Sequence, residues 1–312
     1  MTSDDKLNMR ILICIGGGPE AYASLRYAVR LSKTACADIA LLYVRPLDSG
    51  LNSGGMEVRV ARENVLDWGL ELPGLRQLKA ARDILVELGE IEPGAKREWK
   101  HSEIKGDPAG EYIRDYENPC GGIISLRLRT AKDVTTAVSD EAKRFKADVV
   151  IVGASPEPMT GLRKLFSRKP LALQIAAHAH CSVIVARNLE PGRNHLVCVQ
   201  DTDQSRAMLP MVSRYFQSCR YPLSILSVAP TEADLASARK AAQEAAQILG
   251  ELGTTPAEIL VEVGDPVETI ITIGYDFSLI LASESLKPWF AKGFSVSHEV
   301  AEKARNSVMI VK

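Results

Sequence analysis

Short apolar runs recur along the chain, bounded by glycine, proline or polar residues and separated by stretches with helical spacing. Arg10-Ile-Leu-Ile-Cys-Ile15 is the first, closed by Gly16-Gly-Gly-Pro19. Runs this short and continuous suit strands covered on both faces, as in a parallel sheet. Pro19 and Glu20 open a helix whose apolar side carries Leu25, Ala28, Val29 and Ala35, and Ile39 to Val44 is the next strand. Leu75, Leu78, Ile84, Leu85 and Leu88 keep the spacing of an amphipathic helix. Two candidate strands follow, Trp99 to Ile104 and Ile123 to Leu128, and the pattern does not say which joins the central sheet. A helix over Val134 to Phe145 and strands at Val149 to Val152 and Ser182 to Ala186 complete a unit.

After the polar segment Asn188 to Asn194 the same grammar restarts. Leu196 to Val199, Leu223 to Val228, Glu258 to Val263, Ser278 to Ala282 and Ser307 to Val311 read as strands. Helices are expected through Met208 to Phe216, Asp234 to Leu252, after Pro266, and Val296 to Ala304. Cys14 and Val44 stand 184 positions before Cys198 and Val228, and Ser182-Val stands 125 before Ser307-Val. Gly106-Asp-Pro offers a further match to Gly264-Asp-Pro at 158. The falling offset implies two copies of one α/β unit with extra residues in the first, including Asp48 to Gly74 and Cys120 to Lys132. Strands alternating with helices require right-handed crossovers. The expected fold class is therefore α/β, two tandem doubly wound five-stranded parallel-sheet domains at residues 9–188 and 194–312. Ligands in such sheets bind beyond the carboxyl ends of the strands, where strand order reverses.

With 38 basic and 39 acidic residues, net charge directs the chain toward neither nucleic acid nor an anionic membrane. No apolar run approaches the ~20 residues of a membrane span, and the N-terminus lacks a signal peptide's apolar segment, so a cytoplasmic location is expected. The six cysteines lack CxxC spacing and read as reduced, buried thiols. The five histidines have no partner at metal spacing, and no nucleophile-base-acid set is legible. Gly16 to Ala21 fits a dinucleotide fingerprint formally, but Pro19 removes a donor and Glu20 would repel phosphate, so a tight turn is expected. The basic loop Arg163 to Lys169 and the cluster Lys287, Trp289, Phe290 and Lys292 read as loop surface.

The strand order repeated twice, the Gly-Asp-Pro segments, and the endings His178-Ala-His-Cys-Ser-Val-Ile-Val185 and Ala304-Arg-Asn-Ser-Val-Met-Ile-Val311 carry a resemblance. The chain resembles the universal stress protein family in its tandem, two-domain form. The resemblance implies the adenine nucleotide alpha hydrolase-like fold, a stress role, and pairing of the chain with itself, as a pseudo-dimer or a homodimer, or with an unidentified protein. Members that bind ATP carry an Asp ending the first strand and Gly-x2-Gly-x9-Gly-Ser/Thr after the fourth, where backbone N–H groups and a hydroxyl hold phosphate.

The first copy departs from that pattern. Gly16 stands at the Asp position, Gly153 and Gly161 are eight residues apart, and Lys169-Pro170 stands where Gly-Ser belongs. In the second copy Ser295 takes the hydroxyl position, with Ser297 one step on, Phe294 replacing the glycine, and Gln200 and Asp201 ending the first strand. Two readings stand: a non-enzymatic protein acting by association with degenerate nucleotide sites and no cofactor, or a sensor whose second domain holds ATP or another adenine nucleotide. For the second reading the site residues are Ser295, Ser297, Gln200, Asp201 and Gly264. Ser295 also reads as a plain helix cap.

Overall fold

The computed structural model describes residues 9–16, 19–47, 73–95, 97–104, 107–154, 170–187, 193–219, 221–284 and 295–312. The chain forms two compact units, residues 1–150 and 151–312.

In the first unit, strand β1 (Arg10–Cys14) leads through helix α1 (Pro19–Ala35) to β2 (Asp38–Pro46). Helix α2 (Pro73–Glu87), strands β3 (Lys100–Ile104), β4 (Asp107–Glu117) and β5 (Ile123–Ala131), and helix α3 (Val134–Phe145) follow. The strands are ordered β1-β2-β5-β4-β3. β1 and β5 flank β2 in parallel, and β4 runs antiparallel to both β5 and β3. β5 is thus the third parallel strand, which the apolar pattern left open, and β4 is a strand that the pattern did not reveal.

Helix α2 packs on this sheet through Leu78, Ala81 and Leu85, all fully buried. Each leucine removed from water contributes roughly 2 kcal/mol. The approach is close at Gly74, where an added Cβ would lie 2.6 Å from side-chain atoms of Leu128 and Tyr43. Helix α3 is capped by Asp133, whose carboxylate accepts from Thr136 N at 2.6 Å. Its buried Glu141 takes Arg127 and Arg129 of β5, with Arg129 Nε at 2.6 Å and Arg127 Nη1 closer still.

The boundary between the units runs through β6 (Val149–Gly153), so α4 (Leu171–His178) and β7 (Ser182–Ala186) belong by contacts to the second unit. β8 (His195–Val199), α5 (Asp203–Cys219), β9 (Leu223–Ala229), α6 (Leu235–Glu251), β10 (Glu258–Val263), α7 (Pro266–Gly274), β11 (Leu279–Ser283), α8 (Val296–Lys303) and β12 (Ser307–Val311) follow. The strand order is β10-β9-β8-β11-β12-β7-β6. β10 to β12 are parallel neighbours, and β7 turns the opposite way against β12.

The Gly-Asp-Pro match is corrected by these elements. Asp265 caps α7 by accepting from Glu268 N at 2.9 Å, but Asp107 and Pro108 lie inside strand β4. The structural counterpart of Asp265 is Asp133, the cap of α3, at an offset of 132. Most extra residues of the first copy therefore precede α3, in the segment that supplies α2, β3 and β4.

The β7–β12 pair has local two-fold symmetry. Val308 faces Val185, Met309 faces Ile184 and Ile310 faces Val183, so the symmetry point is the Met309–Ile184 pair. Arg187 N donates to Ser307 Oγ at 3.0 Å, and Lys312 N donates to Ser182 Oγ at 3.2 Å. The Arg187 guanidinium caps the end of α8 through Ala301 O and Glu302 O, and Lys312 Nζ reaches Ala179 O after α4. Cations at helix C-termini complement the dipole.

Candidate functional site

β8 lies between β9 and β11, so the chain leaves it to one side first and returns on the other. That reversal opens a crevice at the carboxyl ends of these strands. A cavity of about 370 Å³ occupies it, lined by Gln200, Val228, Ser283, Glu284, Ser295 and Ser297 among others. This volume falls within the range of small-molecule sites.

Each wall has a local cause. Beyond β8, the amide of Gln200 donates to Ser205 Oγ at 2.9 Å, and Ser205 N donates to Thr202 Oγ1 at 3.2 Å, which closes the turn into α5. Opposite, Ser295 has extended dihedrals (φ −68°, ψ 152°) and caps α8. Its hydroxyl accepts from His298 N at 3.4 Å, lies 2.8 Å from His298 Nδ1, and is 3.2 Å from the buried Ser297 Oγ. The floor is apolar, from Leu226, Val228, Ile270 and Ala282.

Glu284, at the mouth, is paired with Lys312 Nζ at 2.8 Å. Burial pushes the Cys198 thiol up to about 12, so it stays protonated and offers no nucleophile at neutral pH. Among the described residues no group of three His, Cys, Asp or Glu is placed to hold a metal ion.

Three of the five residues singled out from the sequence, Gln200, Ser295 and Ser297, meet in this cavity. Asp201 points elsewhere: Arg206 Nη2 holds one oxygen, Ser237 Oγ donates to the other at 3.4 Å, and the same guanidinium pairs with Glu244 at 2.9 Å. The hydrogen bond from Arg206 keeps the Asp201 carboxyl below the usual carboxylate range. Gly264 does not line the cavity; its amide donates to Ala229 O at 2.9 Å, and an added Cβ would press on Thr269 Oγ1. Sequence reasoning missed Thr202, Ser205, Ser283, Glu284 and Val228. For all but Ser205, which lies in the first turn of α5, a position at or just past a strand end was the signal that could have found them.

In the first copy, Gly16 follows β1 and is open, with nothing within 4 Å of an added Cβ. Gly153 ends β6, and α4 begins after Pro170 with no side-chain cap. Gly161, the basic loop Arg163 to Lys169, Phe294, the cluster at Lys287 to Lys292 and the segment 48–72 lie outside the described residues.

The family model for the universal stress protein family matches residues 8–187. No curated protein matches the chain. A universal stress protein structure from Pseudomonas aeruginosa UCBPP-PA14 is 14% identical at a TM-score of 0.62, covering 98% of this chain and 94% of that one. A universal stress protein from Archaeoglobus fulgidus DSM 4304 is 12% identical at a TM-score of 0.57, covering 97% and 96%. An Archaeoglobus fulgidus member in complex with dAMP is 19% identical over 39% of this chain and 100% of its own, at a TM-score of 0.33, and places no ligand here. The two full-length likenesses carry the fold.

Proposed function

We propose, for a chain that belongs to the universal stress protein family, a non-catalytic, cytoplasmic sensor whose second copy, residues 194–312, binds an adenine nucleotide. The crevice of about 370 Å³ at the strand-order reversal carries this reading. Its apolar floor suits a purine face, the side-chain amide of Gln200 suits hydrogen bonding to a ring or ribose edge, and Ser295 and Ser297 stand at a helix N-terminus where anions are favoured. Glu284, the charged group among the described lining residues, is paired with Lys312, so it does not oppose a phosphate strongly. A protonated Cys198 and a paired Glu284 support binding rather than reaction. The first copy, residues 9–188, starts its last helix without a side-chain cap and is read as the degenerate partner.

Calorimetry with ATP-Mg²⁺, AMP and cyclic AMP tests this. The expected result is saturable micromolar binding of at least one, weakened about tenfold or more by Gln200→Ala and by Ser295→Ala with Ser297→Ala. Absence of saturable binding up to millimolar concentration overturns it.

Association is the second reading. The final strand β12 is already flanked by β11 and β7, so its edge serves pairing inside the chain. Among the described strands the outer strand β10 has β9 alone as a neighbour, and it exposes Ile259 and Val263, which suits pairing with another strand. Sedimentation of the chain against a Val261→Pro variant tests that edge. No described helix is long and apolar enough to cross a membrane.

A further inference from the structure

Two cysteines far apart in the sequence meet at one corner of the first unit. Cys36 follows α1 with a left-handed backbone (φ 52°), and Cys120 sits in the turn Asn118 to Gly122 that joins β4 to β5. Both are free thiols, Cys36 half-buried and Cys120 exposed. The two side chains lie within hydrogen-bonding reach of each other, and Asn118 Oδ1 accepts from Cys120 Sγ at 3.3 Å. Exposure of Cys120 corrects the expectation that all the cysteines are buried.

Both sides of the pair are held by backbone. The turn is closed by Gly121 N to Asn118 O at 3.0 Å, Asn118 N to Gly122 O at 2.8 Å, and Gly122 N to Asn118 Oδ1 at 2.6 Å. It docks on the end of α1 so closely that a Cβ on Gly122 would stand 3.0 Å from both Cys36 O and Ala37 O. Ile123 N donates to Asp38 Oδ1 at 2.9 Å, and Asp38 N donates to Met9 O at 2.9 Å, tying the junction to the sheet. Thiols fixed side by side, one of them open to solvent, need little rearrangement to join.

We propose that Cys36 and Cys120 form a reversible dithiol–disulfide pair, oxidised by hydroperoxides. The Cys120 thiolate attacks one peroxide oxygen, the O–O bond breaks, and the alcohol or water leaves, giving a sulfenic acid. The Cys36 thiolate then attacks the Cys120 sulfur, expels hydroxide that is protonated to water, and forms the S–S bond. The two thiols lose two electrons and two protons, and the peroxide gains both. Burial, the neighbouring Cys36 and the Glu90 carboxylate hold the Cys120 thiol above its ordinary range. A raised thiol holds less thiolate near neutral pH, so the first step is slow there and speeds up as pH rises.

The test exposes the reduced full-length chain to hydrogen peroxide, labels remaining thiols with a maleimide–polyethylene glycol reagent after denaturation, and maps peptides without reduction. The expected result is a paired loss of two thiols, one cross-linked peptide holding Cys36 and Cys120 in monomeric protein, and full recovery with dithiothreitol. Cys36→Ser should leave Cys120 as a sulfenic acid trapped by dimedone, and Cys120→Ser should abolish the paired loss. Cys14 and Cys198, both pushed up to about 12 by burial, serve as unreactive controls. A disulfide between Cys120 residues of two chains, or equal thiol loss in wild type and Cys36→Ser with unchanged thermal melts, would overturn the proposal. So would oxidation of other thiols with no Cys36–Cys120 peptide.

Discussion

The carboxyl ends of the parallel strands have been put to different use in the two copies. On β5 of the first, Arg127 and Arg129 reach buried Glu141, Arg129 also pairs with Glu111, and Arg45 of β2 donates to Thr130. Past the end of β8 in the second, the arginine–carboxylate cluster of Arg206, Asp201 and Glu244 stands half-exposed, and a crevice opens at the strand ends. Charge that is buried must be fully paired, so it fills and locks a region, whereas the same groups in water leave neighbouring space free. Among the described residues, then, the first copy carries a buried charge brace on β5 and the second a surface cluster beside a crevice.

The largest expected effect comes from the brace. Glu141→Ala leaves two guanidinium groups facing a void and should cost about 3–5 kcal/mol in urea unfolding of the first unit. Glu244→Ala, on the half-exposed cluster, should cost only a small fraction of that. Burial alone would raise the Glu141 carboxyl, but hydrogen bonds from Arg129 and Arg127 outweigh it and hold the group low. The stabilisation it gives is therefore complete above the ordinary glutamate value of about 4.3 and is lost as pH falls through the lower folded value. Equal costs for the two substitutions would erase the distinction between the copies.

A smaller effect separates them by pH. His195 in β8 takes the register place that Ile11 holds in β1, and it is fully buried against Tyr221, Phe216 and Tyr215. Burial pushes its imidazole down to about 4 from 6.5. The unfolded chain binds the proton first, so stability of the second unit is whole above pH 6.5 and falls as pH drops toward 4. At pH 5 the loss should be about 2 kcal/mol relative to pH 7.5. His195→Ile should flatten that dependence; a slope unchanged by the substitution would assign it to other groups.

The smallest effect concerns the closing helices. Ser295→Ala removes the cap of α8 and should cost about 1 kcal/mol. Pro170 makes no side-chain cap on α4, so Pro170→Ala should leave that helix start near its present stability. Thermal melts of the two variants distinguish a capped from an uncapped start.

Most strands and helices, β4 excepted, and the family were legible in the residue pattern because each reports a local fact: which faces are apolar, and where glycine, proline and caps interrupt. The cavity was legible in part. Ser295, Ser297 and Gln200 follow from register within one copy, since strand ends in a doubly wound sheet point to the reversal. Asp201, the other candidate at the end of the first strand, turns to Arg206 on α5, which also holds Glu244 on α6, a pairing with no trace in strand periodicity. The Gly-Asp-Pro match failed for a related reason: the tripeptide favours a turn before a helix, yet in the first copy pairing with β3 and β5 draws the following residues into β4.

By itself, then, the amino-acid order determined the α/β class, the repeat and the candidate hydroxyls, through apolar periodicity and local turn chemistry. Only tertiary structure chose β5 over β3 as the third parallel strand, turned β7 against β12, opened the crevice and set Cys36 beside Cys120. These are long-range outcomes, decided by which distant strands share hydrogen bonds and which buried charges find partners.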